Sequence, residues 1–186
     1  DNGFQFGEHG LIDKRTMYET SIRVPMLAHC PDLFAGGGRP EGMALNLDIA
    51  PTMLDAAGVA APAPMHGHSL LPLAQGKARD WRKEFVYEYY WERDFPQTPT
   101  VLGLRTDRYS FMQYHGVWDL DELYDVQADP DQMNNLMAKV RTTTEAGRLF
   151  NRIRDPELKK VVADLQNRLW KTLAATGGRR EPTWRS

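Results

Sequence analysis

A single cysteine in 186 residues excludes an internal disulfide and leaves the redox compartment open. Cys30 stands in Cys30-Pro31-Asp32-Leu33-Phe34 and is expected to be a small buried apolar residue at a strand end. No Cys/His pair sits at zinc-ligand spacing. No run of about eighteen apolar residues could cross a bilayer as a helix, and residues 1–30 do not read as a secretory signal. Excess charge is missing too: 23 basic against 25 acidic residues leave −2, too little to draw nucleic acid or a membrane surface. The Gly36–Gly38 run lacks the lysine and following helix that a phosphate-cradling loop needs, so it reads as a connector. There are no repeats. What remains, 41% hydrophobic and 26% charged, is ordinary globular material for one domain or two small ones.

The chemistry concentrates at the start. Asp1-Asn2-Gly3-Phe4-Gln5-Phe6-Gly7-Glu8-His9-Gly10-Leu11-Ile12-Asp13-Lys14 puts two oxygen ligands, a histidine and a lysine in one glycine-punctuated stretch. A carboxylate beside a carboxamide suits Ca²⁺ or Mg²⁺, since both prefer oxygen donors. A lysine is a compact charge that can grip an anionic oxygen. Asp-Asn-Gly on its own is also a common turn.

The longer string settles more. Asp1-Asn2-Gly3, Gly7-Glu8-His9-Gly10, Asp13-Lys14-Arg15-Thr16-Met17-Tyr18-Glu19 and Ile22-Arg23-Val24-Pro25 together resemble the formylglycine-dependent sulfatases. The resemblance continues through Asp48–Gly58, Gly67-His68-Ser69-Leu70-Leu71-Pro72 and Gly103–Tyr109 to Glu122–Leu136. It implies an alkaline-phosphatase-like α/β fold that ends in a small antiparallel sheet packed with a long C-terminal helix. It also implies that Asp1 and Asn2 ligate an active-site calcium and that Lys14 holds the sulfate. His9 matches the loop histidine of the family, as a substrate contact or a structural hydrogen bond. The nucleophile motif of that family, Cys-x-Pro/Ala/Ser-x-Arg, does not occur here. The chain is therefore expected to be the C-terminal part of a larger sulfatase, with formylglycine supplied by a missing N-terminal part and no turnover by this portion alone. The compartment stays open among periplasm, secretion and lysosome.

Along the chain, residues 1–80 are expected to end the catalytic α/β domain and 81–186 to form the antiparallel subdomain. Lys14–Glu19 reads as a short helix and Val24–His29 as a buried strand. Asn46–Ala57 reads as a helix with Leu47, Ala50, Met53, Leu54 and Ala57 facing a core. His66 and His68 alternate as a metal pair would, with no third ligand nearby. Period-two alternation predicts strands at Glu84–Tyr90, Val101–Thr106 and Tyr109–Tyr114, the last two joined by a turn at Asp107-Arg108, with Glu122–Asp125 as an edge strand. Thr142–Arg154 reads as irregular. Asp155-Pro156 then opens a helix to about Ala174, whose apolar stripe packs on its own domain, and Gly177-Gly178 close it.

Trp91-Glu92-Arg93 begin an aromatic and charged loop that is either a sugar subsite or a solvated connector. By resemblance the substrate is a sulfated amino sugar such as glucosamine 6-sulfate, or an aryl sulfate. Phosphate or phosphonate ester hydrolysis, and a non-catalytic glycan-binding or interaction module, are the alternatives.

Overall fold

Alternating apolar residues build a sheet with two buried faces. In the computed structural model, which describes residues 2–115, 120–138, 153 and 155–178, strands β1 (Glu84–Tyr89), β2 (Thr100–Thr106), β3 (Tyr109–His115) and β4 (Glu122–Asp125) form an antiparallel meander in that order. The expected hairpin at Asp107-Arg108 is present, with Leu104 opposite Phe111 and Gly103 opposite Met112. Thr106 Oγ1 stitches that turn by accepting from the Tyr109 amide at 2.8 Å.

Leu102, Leu104, Phe111 and Leu123 point to one face and meet the long helix, labelled α4 below (Pro156–Thr176), through Val162, Leu165, Leu169 and Leu173. Each such side chain contributes about 1.5–3 kcal/mol on full burial. The helix starts as its sequence dictates: Asp155 accepts from the Glu157 amide at 2.9 Å, Pro156 occupies the first turn, and Gly177 ends it at φ 76°. Ile153 joins the same core, and the rest of the Thr142–Arg154 expectation lies outside the described residues.

The opposite face carries Val101, Met112 and Tyr124, and against it lie Met17 and Tyr18. The helix expected over Lys14–Glu19 is instead a single turn, α1 (Glu19–Ile22). The reason is local. The Lys14 carbonyl is taken by the Asn2 and Ser21 side chains, so it is not left to accept the Tyr18 amide as a helix opening at Lys14 would require. Arg105 of β2 pairs with Glu19 at 2.7 Å and Gln132 caps the Glu19 amide at 2.6 Å, which fixes α1.

Two compact units result, one of residues 1–25 with 84–186 and one of Met26–Lys83. In the second, Asn46–Asp48 makes a 3₁₀ turn leading into α2 (Ile49–Ala56), and α3 is Leu71–Ala74. Asp48 organises this unit. Fully buried, it accepts from the Leu45 and His68 amides at 2.8 Å each and forms a two-pronged pair with Arg82. Burial pushes its carboxyl upward, but Arg82 and the two amides prevail and hold it below the ordinary carboxylate range.

Three expectations fail here. Val24–His29 is no strand, and Leu27 is 97% exposed, because the one sheet among the described residues offers it no ladder partner. The apolar face of α2 is open, with Met53 68% exposed and Leu47 48%, so no core among the described residues covers it. Cys30 is half-buried in a turn, its carbonyl accepting from the Leu33 and Phe34 amides.

Candidate functional site

The opening loop folds back on itself. The Gln5 amide donates to the Asp13 carbonyl at 2.8 Å and the Gly7 amide to Leu11 at 3.0 Å, while Thr16 Oγ1 holds the buried Gln5 side chain at 2.8 Å. These bonds bring Asn2 to Lys14 across the base of the loop. Asn2 Nδ2 donates to the Lys14 carbonyl at 3.1 Å, and the fully buried Ser21 hydroxyl donates to the same oxygen at 2.7 Å. Gly3 makes the approach possible, since a Cβ there would lie 2.3 Å from the Thr20 carbonyl. Asp1 lies outside the described residues.

His9 sits at the tip in the left-handed region, at φ 56°. Its ring stacks on Tyr18, centroids 3.8 Å apart and planes within 10°. Tyr18 is itself pinned, donating its hydroxyl to Glu122 of β4 at 2.9 Å, and Glu122 accepts from Tyr124 at the same distance. Burial lowers the His9 pKa below its ordinary 6.5 against the opposing pull of Asp129, Glu8 and Asp131. For Tyr18 and Tyr124, burial and then the Glu122 charge push the hydroxyls upward, so both stay neutral donors.

Beside Lys14 a second cluster forms. Asp13 accepts from Arg15 at 2.7 Å and from Thr98 at 3.4 Å; Arg15 reaches Glu92 at 3.6 Å and lies over the Phe95 ring at 3.2 Å. Tyr89 is pushed up to about 12, by burial and then by Glu92. The loop that begins at Trp91 is thus tied to the Asp13–Arg15 stretch through Glu92 and Phe95. Trp91 is 54% exposed, with its amide held by Thr100 at 2.8 Å, and Arg93 is exposed. A cavity of about 290 Å³ opens between these elements, lined in part by Asp13, Thr16, Tyr18, Thr98, Tyr114 and Glu122.

The sequence marks Asn2, His9, Lys14, Trp91, Glu92 and Arg93 but not Ser21, which holds the Lys14 carbonyl, nor Tyr18 and Glu122, which back the His9 ring. Nothing local marks Ser21, because its partner is seven residues away. Glu122 lay in a recognisable strand, yet its tyrosine partner is 104 residues away. His68, weighed as a metal ligand, gives its amide to Asp48 and sets its ring edge-on to Trp81 at 5.9 Å.

Residues 7–159 match the family described as N-sulphoglucosamine sulphohydrolase, C-terminal. Among characterised proteins, the N-acetylglucosamine-6-O-sulfatase of Bacteroides thetaiotaomicron is 38% identical over 145 residues, covering 75% of this chain and 25% of its own length. A solved protein in complex with its substrate D-glucosamine-2-N,6-O-disulfate superimposes with TM-score 0.80 at 30% identity, over 100% of this chain and 35% of that one. The phosphonate monoester hydrolase of Silicibacter pomeroyi shares the fold, with TM-score 0.70 at 24% identity over 94% of this chain and 33% of that one. The chain therefore spans about a quarter to a third of the length of the proteins it matches.

Proposed function

The chain belongs to the sulfatase family through its match to the C-terminal part of N-sulphoglucosamine sulphohydrolase, and we propose that it closes an enzyme that hydrolyses the sulfate ester of a sulfated amino sugar. In this reading residues 1–80 end the catalytic α/β domain and 81–186 form the antiparallel subdomain, with the opening loop seated on its sheet. The observation that carries the reading is the bond from Asn2 to Lys14, which holds an oxygen donor for a cation and a grip for an anion on one fixed loop.

The donors fit a hard cation. Asn2 turns its amide nitrogen onto the Lys14 carbonyl, so its oxygen points elsewhere, and Asp1 precedes it with a carboxylate. Among the described residues no group of three or more His, Cys, Asp or Glu forms a complete cation site, so the other ligands are assigned to the upstream part. Calcium, ahead of magnesium, would supply charge that aligns the nucleophile and neutralises the sulfate, and an upstream formylglycine would supply the nucleophile itself.

This chain's own residues do the rest. Lys14 places an ammonium against the sulfuryl oxygens, where charge grows in the transition state and preorganised donors count most. His9, kept neutral by burial, contacts the substrate from the loop tip. Trp91 offers an aromatic face to the sugar ring, while Glu92 and Arg93 hydrogen-bond to its hydroxyls. The apolar residues left open in the Met26–Lys83 unit, among them Met26, Leu27, Leu47, Ile49 and Met53, are covered by the upstream part of the same polypeptide.

The test is sulfate release by the full-length enzyme from glucosamine 6-sulfate and an aryl sulfate, run beside the matching phosphate esters. Sulfate esters are expected to turn over faster, and Lys14→Ala to lower kcat/KM by about a hundredfold or more. Faster phosphate release would transfer the assignment to a phosphoester hydrolase. Saturable glycan binding by this chain without calcium, with no hydrolysis by the longer enzyme, would make it a binding module.

A further inference from the structure

Lys14 is held by its backbone as well as presented by its side chain. Its amide donates to Asp13 Oδ1 at 2.6 Å, and its carbonyl oxygen accepts from both Asn2 Nδ2 at 3.1 Å and Ser21 Oγ at 2.7 Å. A carbonyl has two lone pairs, so this pair of donors fixes the peptide plane in two directions at once. Ser21 is fully buried on α1, and α1 does not move independently: the Ser21 amide bonds the Tyr18 carbonyl at 2.8 Å, and Tyr18 is pinned to Glu122. Asn2 is pressed against the same turn, because Gly3 leaves no room between its Cα and the Thr20 and Ser21 carbonyls.

From this arrangement we infer that Ser21, acting through the Lys14 carbonyl, is a positioning residue that aims the Asn2 carboxamide oxygen at the cation. A carboxamide whose nitrogen is fixed has its oxygen direction fixed as well. Groups hydrogen-bonded to a metal's ligands orient them, and their loss typically costs tenfold to a hundredfold in metal affinity; here that group is the Lys14 carbonyl, which Ser21 holds. Ser21 touches neither cation nor sulfate; it sets a carbonyl that sets a ligand. The inference rests on the sulfatase reading above and adds to it a residue that the sequence motifs pass over.

The experiment measures the calcium dissociation constant of the full-length enzyme by titration calorimetry for the wild type, Ser21→Ala, and the matched pair Ser21→Thr and Ser21→Val. Threonine and valine have the same shape, so any packing cost in the buried site is common to both, and only threonine keeps the hydroxyl. Ser110→Ala is the control for deleting a buried hydroxyl, since Ser110 is fully buried on β3 and its Oγ has no hydrogen-bond partner among the described residues. Ser21→Ala is expected to weaken calcium about tenfold or more, with Ser21→Val at least tenfold weaker than Ser21→Thr and Ser110→Ala within twofold of wild type. Turnover of Ser21→Ala at limiting calcium should fall in step and recover as calcium is raised, a rescue that a general loss of folding would not give. Wild-type binding with Ser21→Val and Ser21→Thr within twofold of each other overturns the inference and leaves the sulfatase reading standing. A wild-type enzyme that binds no calcium overturns both.

Discussion

Replacing Asp48 by asparagine changes no volume and removes one charge, which makes it a sharp probe of the Met26–Lys83 unit. Asp48 Oδ1 accepts from the His68 amide at 2.8 Å and from Arg82 at 2.7 Å, while Oδ2 accepts from the Leu45 amide at 2.8 Å and from the other prong of Arg82. An asparagine presents one oxygen and one NH₂, so one backbone amide and one guanidinium N–H then face a donor. A buried donor left unpaired costs about 1–3 kcal/mol, more when charged, so the sum is about 3 kcal/mol. Breaking a buried ion pair from one side gives a similar figure of about 3–5 kcal/mol. Native-state hydrogen exchange reads the result at two defined sites, the His68 and Leu45 amides, whose protection should fall about a hundredfold in Asp48→Asn. The pH dependence has a definite sign. The folded carboxyl is depressed below 3.8, so its contribution is present above that value and is lost as pH falls through the lower folded pKa. Protection that stays within threefold of wild type, or that fades on acidification as it does in wild type, would refute the assignment of Asp48 as the pin of this unit.

Other outcomes are expected from the sheet and the loop. Leu169→Ala, at a fully buried position between α4 and the sheet, should cost about 2–5 kcal/mol in denaturant unfolding. Tyr18→Phe should cost about 1 kcal/mol by removing one of two hydroxyls on Glu122, and Glu122→Ala more, because it strands both; equal losses would contradict the shared acceptor. His9 should titrate by NMR with a midpoint below 6.5. Because its folded pKa is depressed, its contribution to stability is full above 6.5 and is lost as pH falls through the folded value; a midpoint above 6.5 would contradict the burial of its ring against Tyr18.

Strands and the long helix were legible because their signals are local. Alternation in Glu84–Tyr89 and Tyr109–His115, and a cap-to-glycine span from Asp155 to Gly177, depend on neighbours a few residues away. Apolar periodicity, by contrast, reports that a face is to be covered and says nothing of what covers it. Val24–His29 and the Leu47–Met53 face of α2 carry that signal, yet among the described residues the first forms no strand and the second stays largely exposed. At the site, motif residues such as Asn2, His9 and Lys14 stood out by type. Ser21, Gln132 and Glu122 did not, because the bond by which each supports the loop or α1 runs to a residue 7, 113 or 104 positions away.

Gly103 has a meaning for how members of this family can be recombined. A Cβ at this position in β2 would fall 2.0 Å from the sulfur of Met17 and 2.8 Å from the Phe111 carbonyl, and Met17 is fully buried over it. The bare strand is a keyway and the methionine its key, cut in parts of the sequence more than eighty residues apart. A chimera that takes strands 84–125 from one relative and the opening loop from another must therefore match the two positions by size, or the loop that carries Asn2, His9 and Lys14 is lifted off the sheet. The unit of exchange is residues 1–25 together with 84–186, and a graft that crosses over only near residue 83 divides it.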